Sequence, residues 1–301
     1  MFLSDAPVIS VVMPNLNGGR FLAEAIESTL TQGGPQHELI VVDGGSTDCS
    51  AEILEHYREQ IDVLIVEPDR GQSDAIMKGC LVARGTLFNW INSDDVLLPG
   101  TLAAVAEGVR NADCFAGAVQ DMDESGIPRS VVLQRRLTAE AILRHPWRGS
   151  SYHQPGVWLR RKRFLDCGGL DRNLHFAFDR EMMIRYLAAG ASVRITDQPL
   201  AGFRLHAASK TVTQSSRFFE EQQETLRRFA KHGPGGLRRL ARSHLERLNW
   251  WSELEEIKES ATRGSRLDAA IRILGGVAAR PRDRAGRASV QALAHVLFMS
   301  R

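Results

Sequence analysis

Leu87-Phe88-Asn89-Trp90-Ile91-Asn92-Ser93-Asp94-Asp95-Val96-Leu97-Leu98 is the stretch on which the reading of this chain turns. It begins as an apolar strand, stops at Asn92-Ser93-Asp94-Asp95, and becomes apolar again at Val96. Two adjacent carboxylates between apolar runs must be solvated, paired or metal-bound, because an ionised group beside a core is otherwise costly. At the carboxyl end of a parallel strand they would stand at the mouth of a sheet, where open α/β proteins bind ligands. Hard oxygen ligands there suit Mg²⁺ or Mn²⁺, with phosphates completing the shell. The competing reading is an Asp-rich turn capping a helix that starts near Pro99, and these residues alone leave both open.

Working outward, Pro7 to Pro14 is a short β-branched run that reads as a buried strand. A turn at Asn15-Leu16-Asn17-Gly18-Gly19 precedes helical spacing from Phe21 to Thr31. Glu38 to Asp43 is a second strand, Ser46-Thr47-Asp48 a helix start, Asp62 to Val66 a third strand and Gly71 to Ala83 a third helix. This alternation predicts a mostly parallel sheet flanked by helices. The unusual polar residues then fall at strand ends: Pro14-Asn15, Asp43, Glu67 with Asp69, and Asp94-Asp95. A single acid after a strand is ordinary turn chemistry; a series of them is harder to dismiss. No G-x-G-x-x-G follows the first strand, and there is no P-loop.

The chain has 301 residues, enough for one large α/β domain with an appendage. Its 43% hydrophobic and 25% charged residues are those of a globular protein and argue against a disordered chain. No apolar run approaches the ~18 residues of a membrane span, and the N-terminus lacks a signal pattern, so the cytoplasm is the expected compartment. Cys49, Cys80, Cys114 and Cys167 have neither zinc nor disulfide spacing. The net charge of +2 is uneven, with about +7 on residues 215–301 and about −5 on the remainder.

VVMPNLNGGRFLAEAIESTLTQ, LIVVDGGSTDCSAEIL, EPDRGQSDAIMKG and FNWINSDD, in that order and spacing, resemble the family 2 glycosyltransferases of the GT-A fold. The resemblance implies a catalytic domain over residues 1–214, with a nucleotide-binding half (1–110) and an acceptor half (111–214), and a helical C-terminal region over 215–301. It implies a nucleotide diphosphate sugar as donor, UDP-linked by expectation, and a saccharide or lipid-linked acceptor, with no nucleic acid partner. Pro14 and Asn15 would line the nucleotide pocket and Asp43 would meet the base. Asp69, Asp74 and Lys78 would surround the nucleotide and donor sugar; Asp95 would hold a divalent Mn²⁺ or Mg²⁺, with Asp94 beside it. The first motif position is Asn92 rather than Asp, which leaves fewer negative ligands for the cation.

In the second half, Thr101 to Val109 has helical spacing, Asp113 to Val119 reads as a strand and Asp121 to Pro128 as a hairpin turn. Leu143 to Gln154 mixes aromatic, His and polar residues; His145, Trp147, His153 and Gln154 are candidates to contact the acceptor, a plain surface loop being the alternative. Met182, Met183, Tyr186 and Leu187 form an apolar helical stripe preceded by Asp179, which on structural grounds is placed to cap the helix. The resemblance makes Asp179 the general base of an inverting transfer, with Glu181 its rival. Residues two apart on a helix point roughly 200° from each other, so only one can face the site. Arg204, His206 and Lys210 would meet phosphate oxygens, or else form a solvated basic loop.

Beyond Ser215 two amphipathic helices, Phe218–Ala230 and Leu237–Ile257 with Trp250-Trp251, are followed by a basic stretch from Arg280 to Arg287 and a last apolar helix. The readings are packing on the catalytic domain, packing on a second copy, or contact with a membrane surface. The expected activity is a metal-dependent glycosyl transfer in cell-surface polysaccharide synthesis. A nucleotidyltransferase would need a lysine in the loop after the first strand, which NLNGGRFLAEA lacks, and a non-catalytic nucleotide-sugar binder would bind without turnover.

Overall fold

The computed structural model describes residues 9–110, 112–144, 152–207, 209, 215–263 and 265–298. The chain forms two compact units, Met1–Glu221 and Gln222–Arg301. The division falls inside the helix Ser215–His232. His145, Trp147 and Lys210 lie outside the described residues.

In the first unit the four apolar runs become β1 (Ile9–Asn15), β2 (His37–Asp43), β3 (Val63–Val66) and β4 (Leu87–Trp90). Every residue of β1 is buried, as expected for a strand covered on both faces. Between them run α1 (Leu22–Leu30), α2 (Ser50–His56) and α3 (Gln72–Val82). The motif stretch continues into the two-residue β5 (Val96–Leu97), and α4 (Thr101–Gly108) follows. Then come β6 (Cys114–Met122), β7 (Pro128–Val132), α5 (Ala139–Arg144), a 3₁₀ turn at Gln154–Gly156, β8 (Val157–Arg160), α6 (Arg161–Asp166), α7 (Phe178–Ala188) and β9 (Val193–Arg204).

The strands join one mixed sheet in the order β3-β2-β1-β4-β8-β6-β9-β5, with β7 on β6. β3, β2, β1 and β4 are mutually parallel, so their carboxyl ends share one edge. β8 runs antiparallel to both β4 and β6, whereas β9 is parallel to β6. The expected turn between β6 and β7 is closed by Asp123, whose Oδ1 accepts from the Ser125 and Ile127 N–H groups. Ile9, Val11, Met13, Leu39, Val41 and Trp158 belong to the core beneath the sheet.

Antiparallel pairing of β5 with β9 sets Val96 opposite Gly202. This register carries Asp94 and Asp95 to within reach of Arg204 at the end of β9 and His206 just after it, more than a hundred positions further along the chain.

The second unit holds most of α8 (Ser215–His232), then α9 (Gly235–Arg263), α10 (Arg266–Ala279), α11 (Pro281–Arg284) and α12 (Arg287–Phe298). Gly233-Pro234 breaks the chain between α8 and α9, since proline cannot continue a helix. Trp250, Leu254, Ile257, Ala270, Ile273 and Val296 form a core internal to this unit. The paired tryptophans split: Trp250 is buried and donates Nε1–H to Ser289 Oγ at 2.9 Å, while Trp251 is 58% exposed. α10 has no counterpart in the sequence reading above. Its Gly275-Gly276 pair obscures the pattern, yet a Cβ on Gly276 would meet the Trp250 ring at 2.3 Å, so glycine is what lets α10 approach α9. Among the described residues no helix is long and apolar enough to cross a membrane.

Candidate active site

The carboxyl edge of the parallel strands is built by hydrogen bonds between its own loops. Asn15, at the end of β1, donates from Nδ2 to Asp43 Oδ1 at 2.7 Å and to Ser46 Oγ at 3.2 Å. Asp43, at the end of β2, accepts on Oδ2 from the Gly45 and Ser46 N–H groups and on Oδ1 from Ser46 Oγ. Its carboxylate thus holds four bonds, about all it can take. Pro14 is in β1, paired with Val42 of β2. Asp69 accepts from the Gly71 N–H at 2.7 Å. A Cβ on Gly44 would lie 2.3 Å from Asp69 Oδ2, so Gly44 makes room for that acid.

Asp74 lies in the first turn of α3 and is buried. Burial alone would raise its pKa, but the Arg70 N–H bond and the nearby Arg172 and Arg70 charges outweigh it and hold the carboxyl below its ordinary value. Lys78, one turn on, bonds the Pro68 carbonyl and Glu67, each at 2.8 Å. Asp43, Asp69, Asp74 and Lys78 are therefore gathered at one edge, each already engaged within the protein.

The central motif separates its two acids. Asp95 is fully buried; its Oδ1 accepts from the Arg204 N–H at 3.0 Å and its Oδ2 from Asn92 Nδ2 at 3.1 Å. Burial, then the Asp94 charge beside it, pushes its pKa well above the ordinary value. Asp94 keeps about a third of its side chain exposed, and its Oδ2 lies 3.0 Å from His206 Nε2. Both Asp95 oxygens thus accept from protein donors, while Asp94 Oδ2 and His206 Nε2 form a partly exposed pair of their own beside it. Among the described residues no three His, Cys, Asp or Glu side chains cluster as a complete metal cage. Two protein donors fit a cation that takes its remaining ligands from phosphate and water, as Mg²⁺ commonly does.

Arg204 has a protein partner on each of its three guanidinium nitrogens. Its Nε donates to the Asp94 carbonyl and Nη1 to the Glu124 carbonyl; Nη2 pairs with Glu24 at 2.7 Å, and the guanidinium stacks over Phe21 at 4.7 Å. With 1% of its side chain exposed, it is a tie that fixes the motif from behind. Asn92 explains its own departure from Asp: it donates to Asp95 and accepts from Gln72 Nε2 at 2.6 Å, and an aspartate there would face Asp95 with like charge.

Next to this motif opens a cleft of about 410 Å³. Gln72 and Asn92 stand at one side and Asp179 at another, with Phe176, Phe178, Phe203 and Leu205 supplying an apolar wall. Asp179 sits inside the first turn of α7, the N-cap being Ala177, so the expected capping role is not the one it has. The N–H groups before the helix are taken instead by Glu221, which accepts from His175, Phe176 and Ala177 at 2.7–2.9 Å. Burial lifts the Asp179 carboxyl to a pKa of about 6 against the opposing Arg180 charge and the Arg180 N–H bond. Its rival Glu181 is turned to Arg185, bound through both oxygens at 2.7 and 2.8 Å, and Arg185 in turn donates to the Gly169 carbonyl.

His153 lines the same cleft against Phe203, ring centroids 4.9 Å apart. Burial lowers its pKa, with Asp121 opposing. Gln154 also lines it, but its Nε2 is committed to Asn89 Oδ1 and the Trp90 carbonyl, both at 2.9 Å. Among the described residues Asn15 Oδ1, Asp74 Oδ1 and His153 Nδ1 are buried atoms with no hydrogen-bond partner, all on candidate site residues. Tyr152, His175, Phe176, Phe203 and Phe218 line the cleft without having been singled out from the sequence. Their only sequence signal is aromatic or imidazole character, Tyr152, His175 and Phe176 in irregular stretches and Phe203 and Phe218 on a strand and a helix.

Fold and site together define an α/β enzyme with a ligand edge on parallel strands and an acid-floored cleft beside it. Residues 10–179 match the model of the family described as Glycosyl transferase family 2, more than half of the chain, and the protein belongs to that family. An uncharacterised glycosyltransferase of Rickettsia prowazekii is 26% identical over 75% of this chain and 72% of its own. The Bacillus subtilis protein TuaG, named for teichuronic acid biosynthesis, is 34% identical over 46% of this chain and 58% of its own. Staphylococcus aureus TarS, solved with UDP-GlcNAc, superposes with a TM-score of 0.60 at 19% identity, over 74% of this chain and 66% of the other. The mannosyltransferase PcManGT of Pyrobaculum calidifontis, solved with GDP-Man and Mn²⁺, gives a TM-score of 0.63 at 18% identity over 98% and 87%. The fold is the GT-A type, and the chain is a glycosyltransferase.

Proposed function

We propose that the enzyme transfers a sugar, with inversion, from a nucleotide diphosphate sugar to a hydroxyl of a saccharide or lipid-linked acceptor in cell-surface polysaccharide synthesis. The carrying observation is the pair Asp179 and Glu181: one carboxyl lines the cleft with its pKa at about 6, bonded only by the Arg180 N–H among the hydrogen bonds described, while the other is tied to Arg185 through both oxygens. A base works best when its pKa lies near the working pH, so Asp179 suits removal of the acceptor proton. The acceptor oxygen attacks the anomeric carbon, the bond to the diphosphate breaks, and Asp179 takes the proton. One base on one side of the sugar gives inversion.

Asp94 and His206 would hold a divalent cation, Mn²⁺ or Mg²⁺; when bound, it neutralises charge growing on the leaving diphosphate. Pro14, Asn15 and Asp43 would shape the nucleotide pocket, with Asp69, Asp74 and Lys78 around the donor. Arg204 would serve by fixing Asp94 and Asp95. His153, and the 3₁₀ turn at Gln154, would border the acceptor. TarS with UDP-GlcNAc, PcManGT with GDP-Man and Mn²⁺, and the name of TuaG support donor, metal and pathway class. The deciding experiment screens UDP- and GDP-linked sugars with Mn²⁺ by thermal shift, then reads the product anomer by NMR on a set of saccharide and lipid-linked acceptors. A retained anomeric configuration sinks the single-base mechanism, and no donor-dependent stabilisation sinks the donor class.

A further inference from the structure

The helical unit carries apolar side chains on faces its own core does not use. α10 buries Ala269, Ala270 and Ile273, yet Leu267, Ile271 and Leu274 are 68%, 57% and 55% exposed. Spaced i, i+4 and i+7, these three fall within roughly 60° of one another around the helix. α12, which packs on α10, shows the same division: Ala292 and Val296 are buried while Val290 and Leu297, seven apart, are 67% and 47% exposed. An exposed leucine alone needs no explanation, but apolar side chains exposed at helical spacing on each of two adjoining helices do.

Charge says what covers them. Gln222–Arg301 carries an excess of about +8 in Lys and Arg over Asp and Glu. Arg266, Arg272, Arg282 and Arg287 lie on or between these helices without an ion-pair partner among the described residues. A second copy would bring this cationic surface against its own likeness. Its stripe is also short: three residues over one heptad span ~10 Å of helix axis, against the three or four heptads of a coiled-coil seam. An anionic bilayer matches both features, taking apolar side chains at its acyl boundary and arginines among its headgroups.

We propose that α10 and α12 dock the enzyme onto an anionic lipid surface, through the Leu267-Ile271-Leu274 stripe flanked by unpaired arginines. The test uses the full chain and vesicles of equal parts phosphatidylglycerol and phosphatidylcholine, against phosphatidylcholine alone. Co-sedimentation should be strong with the anionic vesicles, weak with the neutral ones, and reduced by salt, which shortens the screening length to ~3 Å at 1 M. The triple variant Leu267→Ser, Ile271→Ser, Leu274→Ser should lose about tenfold or more of this binding, since insertion scales with apolar area. Its helicity and melting temperature should stay at wild type, because all three side chains face solvent. Arg272→Gln with Arg282→Gln and Arg287→Gln should erase the preference for anionic over neutral vesicles. Absent wild-type binding, or undiminished binding by the serine variant, overturns the proposal. A lipid-free dimer in light scattering that the serine variant dissolves overturns it in favour of a second copy.

Discussion

The nucleotide edge and the acid-floored cleft differ in how their carboxylates are satisfied. At the edge, Asp43 holds four bonds and Asp74 is ringed by Arg70, Arg172 and Lys78, so burial is outweighed and the Asp74 charge is stabilised. In the cleft, Asp179 has the N–H of its neighbour Arg180 and an apolar wall, and its pKa rises to about 6. The same residue type is held charged at Asp74 and holds its proton more tightly at Asp179. A carboxylate ringed by donors and cations keeps its charge; one with few of them against an apolar wall is more easily protonated.

The sharpest way to break this comparison is Asp179→Asn. Turnover should fall by about 10²–10⁴, the usual worth of a general base, while donor affinity measured by calorimetry stays near wild type. Glu181→Gln should keep most of its activity and instead lose about 1–3 kcal/mol of stability, because the Arg185 fork is left half-paired. The reverse ranking would move the base to Glu181.

Next in size is the metal motif. Asp94→Asn and chelator treatment should each cut transfer by about 10²-fold if the cation neutralises the leaving diphosphate. Asp95→Asn keeps Asp94 and His206 in place and should retain Mn²⁺-dependent donor binding. Loss of metal dependence in the Asp95 variant alone would restore Asp95 as the ligand. Asn92→Asp sets a third acid against Asp95 and should lower metal-free stability by about 1–3 kcal/mol, with Mn²⁺ recovering it. A melting temperature unchanged by Asn92→Asp would mean the amide bridge to Asp95 matters little.

The smallest effect is one of pH. Activity should rise along an acid limb near pH 6 as Asp179 ionises. Stability runs the other way: the folded state holds this proton up to about pH 6, the unfolded chain only to its ordinary 3.8, so stability falls as pH rises between them. Above pH 6 the cost is fully present. Asp179→Asn should therefore be more stable than wild type at neutral pH, by about 1–2 kcal/mol after allowing for partial solvation, and the difference should vanish below pH 4. Denaturation of both proteins across pH 4–8 checks the sign.

What the sequence determined by itself is what lies close along the chain. Alternating apolar runs and helical spacings placed β1 to β4 and α1 to α3 within a residue or two, apart from a later start for α2, because strand and helix periods are local. The same holds for the ordered acids at strand ends and the hairpin at Asp123. α10 escaped because Gly275-Gly276 hides a helix whose fit depends on Trp250, on another element. Only tertiary structure decided which polar groups are free. Pairing of β5 with β9 brings Arg204 onto Asp95 and His206 onto Asp94, across more than a hundred residues, and so gives two adjacent aspartates that look alike in sequence different surroundings. Arg185, held at the Cys167–Gly169 turn, claims Glu181, while the distant wall from Phe176 to Phe203 raises the pKa of Asp179 by keeping water away. A side chain's charge state is set by what surrounds it in space, and those surroundings come from every part of the chain.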